Sequence, residues 1–383
     1  MAHITSLNAH EYPPEPVRLQ YKKYQGISLS EIDTDPGILD LQALDPDHLP
    51  REFSIERWMT SEGLQSTYNR FVGCSQQDVR VPSRRIPVLT HKSVSGECRV
   101  SSGSEEEVRV GNPDNRYIGL LMIPSLLPPA VQVELLSRLF HRDLSNSEHQ
   151  TNLHLHYKIT YPMQKGGVKE DRDGTSPQPD SRSFFEDDPA RILSPRDPTV
   201  HKPLTVQTML NKKLRWVTLG GQYDWTAKVY PPEQPPTFPE DVANLLRAAF
   251  PKTEAEAAIL NVYSPGNTLS PHRDVSEECD AGLISVSFGC DGLFLISHDD
   301  GTGCEVIRLR SGDAVYMDGT SRFAWHAVPK IVPGTCPSWL ADWPCRPEDH
   351  ETRSRFGAWR GWMAGKRVNL NVRQMVASAP HLR

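Results

Sequence analysis

His272 and Asp274 stand two positions apart at the end of Asn261-Val-Tyr263-Ser-Pro-Gly-Asn-Thr-Leu-Ser-Pro-His272-Arg-Asp274. In extended chain, residues two apart point to the same side. An imidazole nitrogen and a carboxylate oxygen can therefore meet one cation there. An HxD pair alone is a weak signal, because polar residues beside turns supply it often. The best third ligand is His326, in Ser-Arg-Phe-Ala-Trp-His326-Ala-Val-Pro. Taken singly, a histidine in an apolar strand is more often a satisfied core residue. His298 abuts an Asp-Asp-Gly turn and His350 lies in a charged loop, which makes both weaker alternatives. Two histidines and one carboxylate occupy one face of an octahedral Fe(II) and leave positions for a bidentate oxoacid and dioxygen. A catalytic zinc accepts the same set, so three residues alone do not name the metal.

The stretch Lys366-Arg367-Val-Asn369-Leu-Asn371-Val-Arg373-Gln alternates polar and apolar residues. As a strand it puts Arg367, Asn369, Asn371 and Arg373 on one side. Two arginines cannot be buried without partners. A dianionic organic acid would satisfy both, since guanidinium matches carboxylate geometry. An exposed edge strand is the plainer reading, but the apolar residues between them and the nearby metal motif argue against it.

The elements that must carry these residues follow from period and punctuation. Short strands are predicted at 258–263, 283–288, 293–297, 306–310, 314–317, 323–328 and 368–373, separated by Gly289, Gly292, Gly301, Gly303, Gly312 and Gly319. Leu214 to Gly221 and Tyr117 to Ile123 read as further strands. Helices are predicted over 130–140, where Val131, Leu135, Leu136 and Leu139 share a face, and over 239–250, with proline and two acids in its first turn. Ser54 to Ser61 reads as the start of a short helix. Helices before a run of short strands predict an α+β chain, a sandwich or small barrel with helices packed on one face. Residues 1–115 read as a partly irregular N-terminal extension, 116–383 as the main domain, and 163–203 as a flexible insertion in it. Tyr223 and Trp225, beside Gly220 and Gly221, either stack on a base turned out of its helix or brace their loop.

The chain has 383 residues and a formal net charge of −6, which does not indicate a globally basic nucleic-acid binder. Its seven cysteines are scattered without CxxC pairs, as expected in a reducing intracellular setting. No apolar run reaches the roughly 20 residues of a membrane helix, and the N-terminus has no signal-peptide pattern. From Arg353 to Arg383 there are seven basic residues and no acid, with Phe356, Trp359 and Trp362 between them. That tail either meets phosphates and bases or is a solvated face over packed aromatics.

Taken together, Asn261-Val-Tyr263, His272-Arg-Asp274, Ser285-Val-Ser-Phe-Gly289, Ser311-Gly-Asp313, Ser321-Arg322 with His326, and Arg367 to Arg373 resemble the AlkB family of Fe(II)/2-oxoglutarate-dependent dioxygenases. The match spans roughly Arg215 to Gln374. Arg215-Trp-Val-Thr-Leu-Gly220, Tyr223-Asp-Trp225 and Phe323 to Pro329 are most similar to the eukaryotic AlkB homologue 1 group. The resemblance implies a double-stranded β-helix, or jelly roll. It implies that His272, Asp274 and His326 hold iron and that Arg367 grips the distal carboxylate of 2-oxoglutarate. Arg373 would lie near the metal-side carboxylate and the substrate pocket, and Asn261, Tyr263 and Asn369 would be further co-substrate contacts. Asn371 departs from the family, which usually has threonine there.

The implied activity is oxidative demethylation of nucleic-acid bases, in tRNA, other RNA or DNA. It consumes 2-oxoglutarate and dioxygen and yields succinate and formaldehyde. A dioxygenase acting on protein side chains, a silent jelly-roll binding module and a sensor without a dedicated substrate are the rival readings. The expected setting is cytoplasmic or nuclear, with mitochondria left open and no membrane partner.

Overall fold

The computed structural model describes residues 7–51, 53–73, 85–91, 119–162, 182–231, 233–298, 303–346 and 348–377. Its strands are β1 (Ile38–Asp40), β2 (Phe53–Thr60), β3 (Arg85–His91), β4 (Leu120–Ile123), β5 (Ile192–Leu193), β6 (Leu204–Thr205), β7 (Trp216–Gly220) and β8 (Ala257–Tyr263), followed by β9 (Leu269–His272), β10 (Leu283–Gly289), β11 (Gly292–Ile296), β12 (Glu305–Leu309), β13 (Ala314–Met317), β14 (His326–Ile331) and β15 (Arg367–Arg373). The helices are α1 (Glu15–Gly26), α2 (Leu29–Ile32), α3 (Ser61–Val72), α4 (Pro129–Ser137), α5 (Val206–Thr208), α6 (Glu240–Ala249), α7 (Ser338–Ala341) and α8 (His350–Phe356).

Local chemistry explains most boundaries. Pro129 opens α4, where its missing N–H costs nothing, and a wider helical turn carries the chain on to Asp143. Glu240 and Asp241 sit in the first turn of α6 and Arg247 in its last, as the helix dipole favours. Ser28 and Glu31 form a reciprocal capping box at α2. The helix expected from Ser54 begins later. Residues 53–60 pair as β2 with β3, and Thr60, whose side chain accepts from the Gly63 amide, caps α3 instead. The apolar residues of 53–60 gain more from the ladder than from a short helix. Of the segment 163–203 read as a flexible insertion, residues 163–181 lie outside the described residues, while 182–203 are described and include β5.

The strands form a five-stranded sheet in the order β1-β12-β11-β14-β9 and an eight-stranded sheet in the order β2-β3-β4-β13-β10-β15-β8-β7, with β5 and β6 as a separate pair. This corrects the expected double-stranded β-helix. The two large sheets are separate, and among the described residues no ladder joins their edges into a barrel or jelly roll. Strand period was readable from sequence, but closure depends on which edges pair. Here β1 runs parallel to β12 at one border of the smaller sheet, while β2 and β3 extend the larger one beyond β4. Segments far upstream thus take the edge positions that closure would need.

Helices α3, α4 and α6 cover the outer face of the eight-stranded sheet. Leu64, Val131, Leu135, Val242 and Leu246 pack in one core with Leu260, Val286 and Leu370. Phe140, Phe185, Trp343 and Trp362 form an aromatic knot in the same core, with ring centroids 5.2–6.2 Å apart. Phe356, Trp359 and Trp362 are buried in this core, so the tail's aromatics pack and do not present stacking faces. On the other side, Val17, Tyr24 and Ile27 from α1 and its C-terminal end pack on Leu293, Leu295 and Ala327 of the smaller sheet. Between the sheets, one half is apolar, where Leu120, Met122 and Val315 meet Phe294, Ile307 and Leu309. The other half is polar and holds the residues considered next. No helix among the described residues is long and apolar enough to cross a membrane.

Candidate active site

The two histidines are neighbours across a ladder. His326 opens β14 opposite His272, the last residue of β9, and their ring centroids lie 4.3 Å apart. A register shift follows His326 in its pairing with β9, near Pro271, and a second interrupts the β11 pairing further along, near Pro329; such bulges re-aim side chains. His272 Nδ1 lies 2.9 Å from the Ser270 carbonyl, and His326 Nδ1 lies 3.1 Å from that of Ala324. A carbonyl only accepts, so each Nδ1 carries the proton and each Nε2 keeps its lone pair. Asp274 follows directly. Its Oδ1 is 3.8 Å from His272 Nε2, and its Oδ2 is 3.8 Å from His326 Nε2. One ligand atom from each of the three residues lies within 4.8 Å of the others. Neither alternative third ligand, His298 or His350, belongs to this group.

Electrostatics favour a cation here. Burial, reinforced by His272, holds the His326 imidazole down to about 4, so it is neutral and able to ligate at neutral pH. Burial alone would raise the Asp274 carboxyl, but Arg373, His326 and His272 together hold it well below the usual carboxylate range. It stays an anion.

The opposite wall comes from the eight-stranded sheet. Antiparallel pairing sets Arg367 against Tyr263 and Gly289, and Asn369 against Asn261 and Ser287. Arg367, Asn369, Asn371 and Arg373 share the face predicted from alternation, and Asn261 and Tyr263 join them. Asn371 is half-buried and the rest are buried. Arg367 Nη2 donates to Ser287 Oγ at 2.9 Å and Nη1 to the Leu309 carbonyl at 3.2 Å. Asn369 Nδ2 donates to Ser285 Oγ at 2.9 Å and to the Val286 carbonyl at 3.1 Å. Gly292 is what admits the first arginine. A β-carbon there would meet Arg367 Nε at 2.5 Å and Cζ at 2.7 Å.

Arg373 Nη2 donates to Asp274 Oδ2 at 2.6 Å, tying the two walls together. Behind them lies a buried charge group that sequence reasoning missed. Glu277 Oε2 accepts from Arg322 Nη2 at 3.1 Å, and its Oε1 lies 2.9 Å from Arg373 Nε, although that N–H is not aimed at it. Arg322 Nη1 also donates to the Asp274 carbonyl at 2.9 Å. Two carboxylates and two guanidiniums thus balance one another. Arg322 was legible only as part of a motif. Nothing in Ser276-Glu277-Glu278 marks which glutamate turns inward.

Three N–H groups on this wall have no acceptor: Arg367 Nε, Arg373 Nε and Arg373 Nη1. Buried guanidinium nitrogens left bare are costly. Arg367 Nε packs against Gly292 and Arg373 Nε lies beside Glu277, which leaves Arg373 Nη1 as the N–H that a carboxylate in the gap would satisfy, and this cationic, amide-rich donor set fits a small diacid such as 2-oxoglutarate as well as the triad fits a divalent ion. At the margin, Trp225 lies 5.1 Å from Trp216 and 5.0 Å from Tyr223, and Tyr223 lies 5.1 Å from Tyr230. The loop aromatics therefore brace one another, yet Trp225 remains 37% exposed.

A 2-His-1-carboxylate triad facing a wall of buried arginines defines a non-haem iron oxygenase that uses a 2-oxoacid, with Fe(II) and 2-oxoglutarate as cofactors. The sequence pattern of the 2OG-Fe(II) oxygenase superfamily matches residues 119–373, and the chain belongs to that superfamily, in its AlkB branch. It is 43% identical to the N6-methyladenosine RNA demethylase ALKB1 of Pyricularia oryzae, over 97% of this chain and 98% of the relative. It is 48% identical to the N6-methyladenosine RNA demethylase ALKBH of Cryphonectria parasitica, over 58% of this chain and 99% of the relative. It is 39% identical to the tRNA demethylase abh1 of Schizosaccharomyces pombe, over 67% of this chain and 79% of the relative.

Proposed function

We propose that this dioxygenase removes methyl groups from nitrogen atoms of RNA bases, with N6-methyladenine the first substrate to test. The observation that carries the chemistry is the His272, Asp274 and His326 group with buried Arg373 beside it, whose Nη2 holds Asp274 and whose Nη1 has no acceptor. The RNA assignment draws on the relatives named for that activity and on the exposed Trp225, whose indole face suits an unpaired base.

In this reading His272, Asp274 and His326 hold Fe(II). The bound iron and 2-oxoglutarate supply the oxidising chemistry that hydroxylates the methyl group, after which the product sheds formaldehyde. The chain's own residues do the rest. Arg367, held by Ser287 and Leu309, clamps the distal carboxylate of the co-substrate. Asn261, Tyr263 and Asn369 wall its carbon chain, and Asn371 completes that side. Arg373 aligns Asp274 and offers Nη1 to the metal-side carboxylate or the base. Asn371 both donates and accepts, as the usual threonine does.

The test is anaerobic loading with Fe(II) and 2-oxoglutarate, then aerobic incubation with RNA carrying N6-methyladenine, methylated tRNA and DNA carrying N6-methyladenine. Nucleoside mass spectrometry should show loss of the methyl mark from RNA with stoichiometric succinate. Retention of the methyl group in every nucleic acid would sink the reading.

A further inference from the structure

The N-terminal segment lies against the residues just after β9 and against the turn that carries Trp225. Arg273, the residue between the two metal ligands on β9 and after it, pairs with Glu11. Lys228 Nζ donates to the Ala9 carbonyl at 2.9 Å. Both cations sit on segments that carry the site, with Arg273 turned to the opposite side of the chain from His272 and Asp274. Arg273 lies over the Trp325 ring, 4.7 Å from its centroid, with its side chain only 7% exposed under the strap and its Nε without an acceptor. Lys228 ends the turn that carries Trp225, and its carbonyl accepts from Ser276 Oγ at 3.0 Å, two residues past Asp274.

Lys228 is also one of two non-glycine residues described with positive φ, at +55°. A lysine in that conformation costs about 1 kcal/mol against glycine, and such outliers concentrate where a side chain is used. What these two cations hold is a carboxylate and a carbonyl oxygen, the acceptor types that a phosphodiester also presents. The pair at Glu11 is half in solvent and worth only about 0.2–1 kcal/mol. A polyanion can displace it.

We propose that Arg273 and Lys228 form a phosphate subsite for the backbone of the single-stranded substrate, and that Glu11 and the Ala9 carbonyl occupy it when no nucleic acid is bound. This rests on the RNA reading above. The exposed Trp225 beside Lys228 then places a stacking face next to the phosphate contact. The N-terminal segment acts as a weak internal competitor, so entry of the strand and release of the segment are one event.

The test is binding of a short unmethylated single-stranded RNA, by fluorescence anisotropy across a salt series, to the full chain and to Glu11→Gln, Lys228→Gln and Arg273→Gln. Glu11→Gln should tighten binding about 2–5-fold. Lys228→Gln should weaken it and flatten the plot of log K against log salt by roughly 0.7, the value of one single-strand phosphate contact. Arg273→Gln should do the same. If it unfolds because its packing on Trp325 is lost, Glu11→Gln and Lys228→Gln still decide. Unchanged affinity in Glu11→Gln with an unchanged slope in Lys228→Gln overturns the subsite while leaving demethylation intact. Absence of RNA binding and of turnover in the unaltered chain overturns the RNA reading and the subsite with it.

Discussion

Arg373 donates to Asp274 at 2.6 Å, so the last strand of the larger sheet orients a metal ligand that follows the edge strand of the smaller one. Partners that orient a ligand carry 10–100-fold in metal affinity. Arg373→Gln should therefore weaken Mn(II) binding, read by calorimetry in the absence of co-substrate, by about that factor. Equal affinity would show that the carboxylate is held well enough by its own backbone.

Glu277 lies between Arg322 and Arg373, and all three side chains are at most 4% exposed. Glu277→Gln leaves two buried guanidiniums with a single carboxylate, Asp274, between them and strips Arg322 of its ion-pair partner. Breaking a buried pair from one side costs about 3–5 kcal/mol. Urea unfolding should register a loss of that order. The double variant Glu277→Gln, Arg322→Met should lose less than the sum of the singles, because it removes one of the stranded charges. Strict additivity would argue that the group is not one unit.

Gly292→Ala tests the clamp without touching a charged residue. The new β-carbon would press on Arg367 Nε, Cζ and Cδ at 2.5–2.8 Å, and the guanidinium is almost fully buried. The arginine must move, so the KM for 2-oxoglutarate should rise at least about tenfold, the equivalent of one strong charge-assisted hydrogen bond. Mn(II) affinity should hold, since the triad is on other strands. A KM equal to that of the unaltered chain would remove Arg367 from the co-substrate site.

His141 supplies a pH test away from the metal. Burial, against the ring of Phe356 and beside Ser183, pushes its imidazole down to about 4, with Glu186 opposing and Arg355 assisting. The unfolded chain binds this proton near pH 6.5 and the folded chain does not. Stability from this residue is therefore full above 6.5 and lost as pH falls toward 4. The loss approaches roughly 3–4 kcal/mol at about 1.4 kcal/mol per unit. Thermal melts of His141→Gln should show a shallower acid slope between those limits. An identical slope would mean that other groups set the acid limit.

What the sequence disclosed and what it withheld divide along physical lines. Alternation put Arg367, Asn369, Asn371 and Arg373 on one face, because strand period is a local property. The HxD spacing joined His272 and Asp274 for the same reason. His326 required the whole motif set, since its approach to His272 is made by a cross-strand pair more than 50 residues apart. Glu277 was illegible because its inward turn is set by two distant arginines, one in the turn before β14 and one on β15. The edge positions of β1 and β2 were equally hidden. Segments as short as Ile38–Asp40 carry little signal until a partner strand exists. The aromatics of the tail were undecided for a related reason, because Phe356, Trp359 and Trp362 look alike on a surface and in a knot.

The parallel pairing of β1 with β12 bears on where the chain can be cut. The family pattern begins at residue 119, but elements upstream of it pair and pack with both sheets. A fragment starting there would lose α1 from the face over Leu293 and Ala327, strip β1 from β12, and bare the outer edge of β4. Two raw sheet borders and an uncovered apolar face are a recipe for intermolecular strand pairing. Such a fragment should go to inclusion bodies or oligomers even though it retains every metal ligand, and recombinant work is better begun at the first residues than at the family boundary.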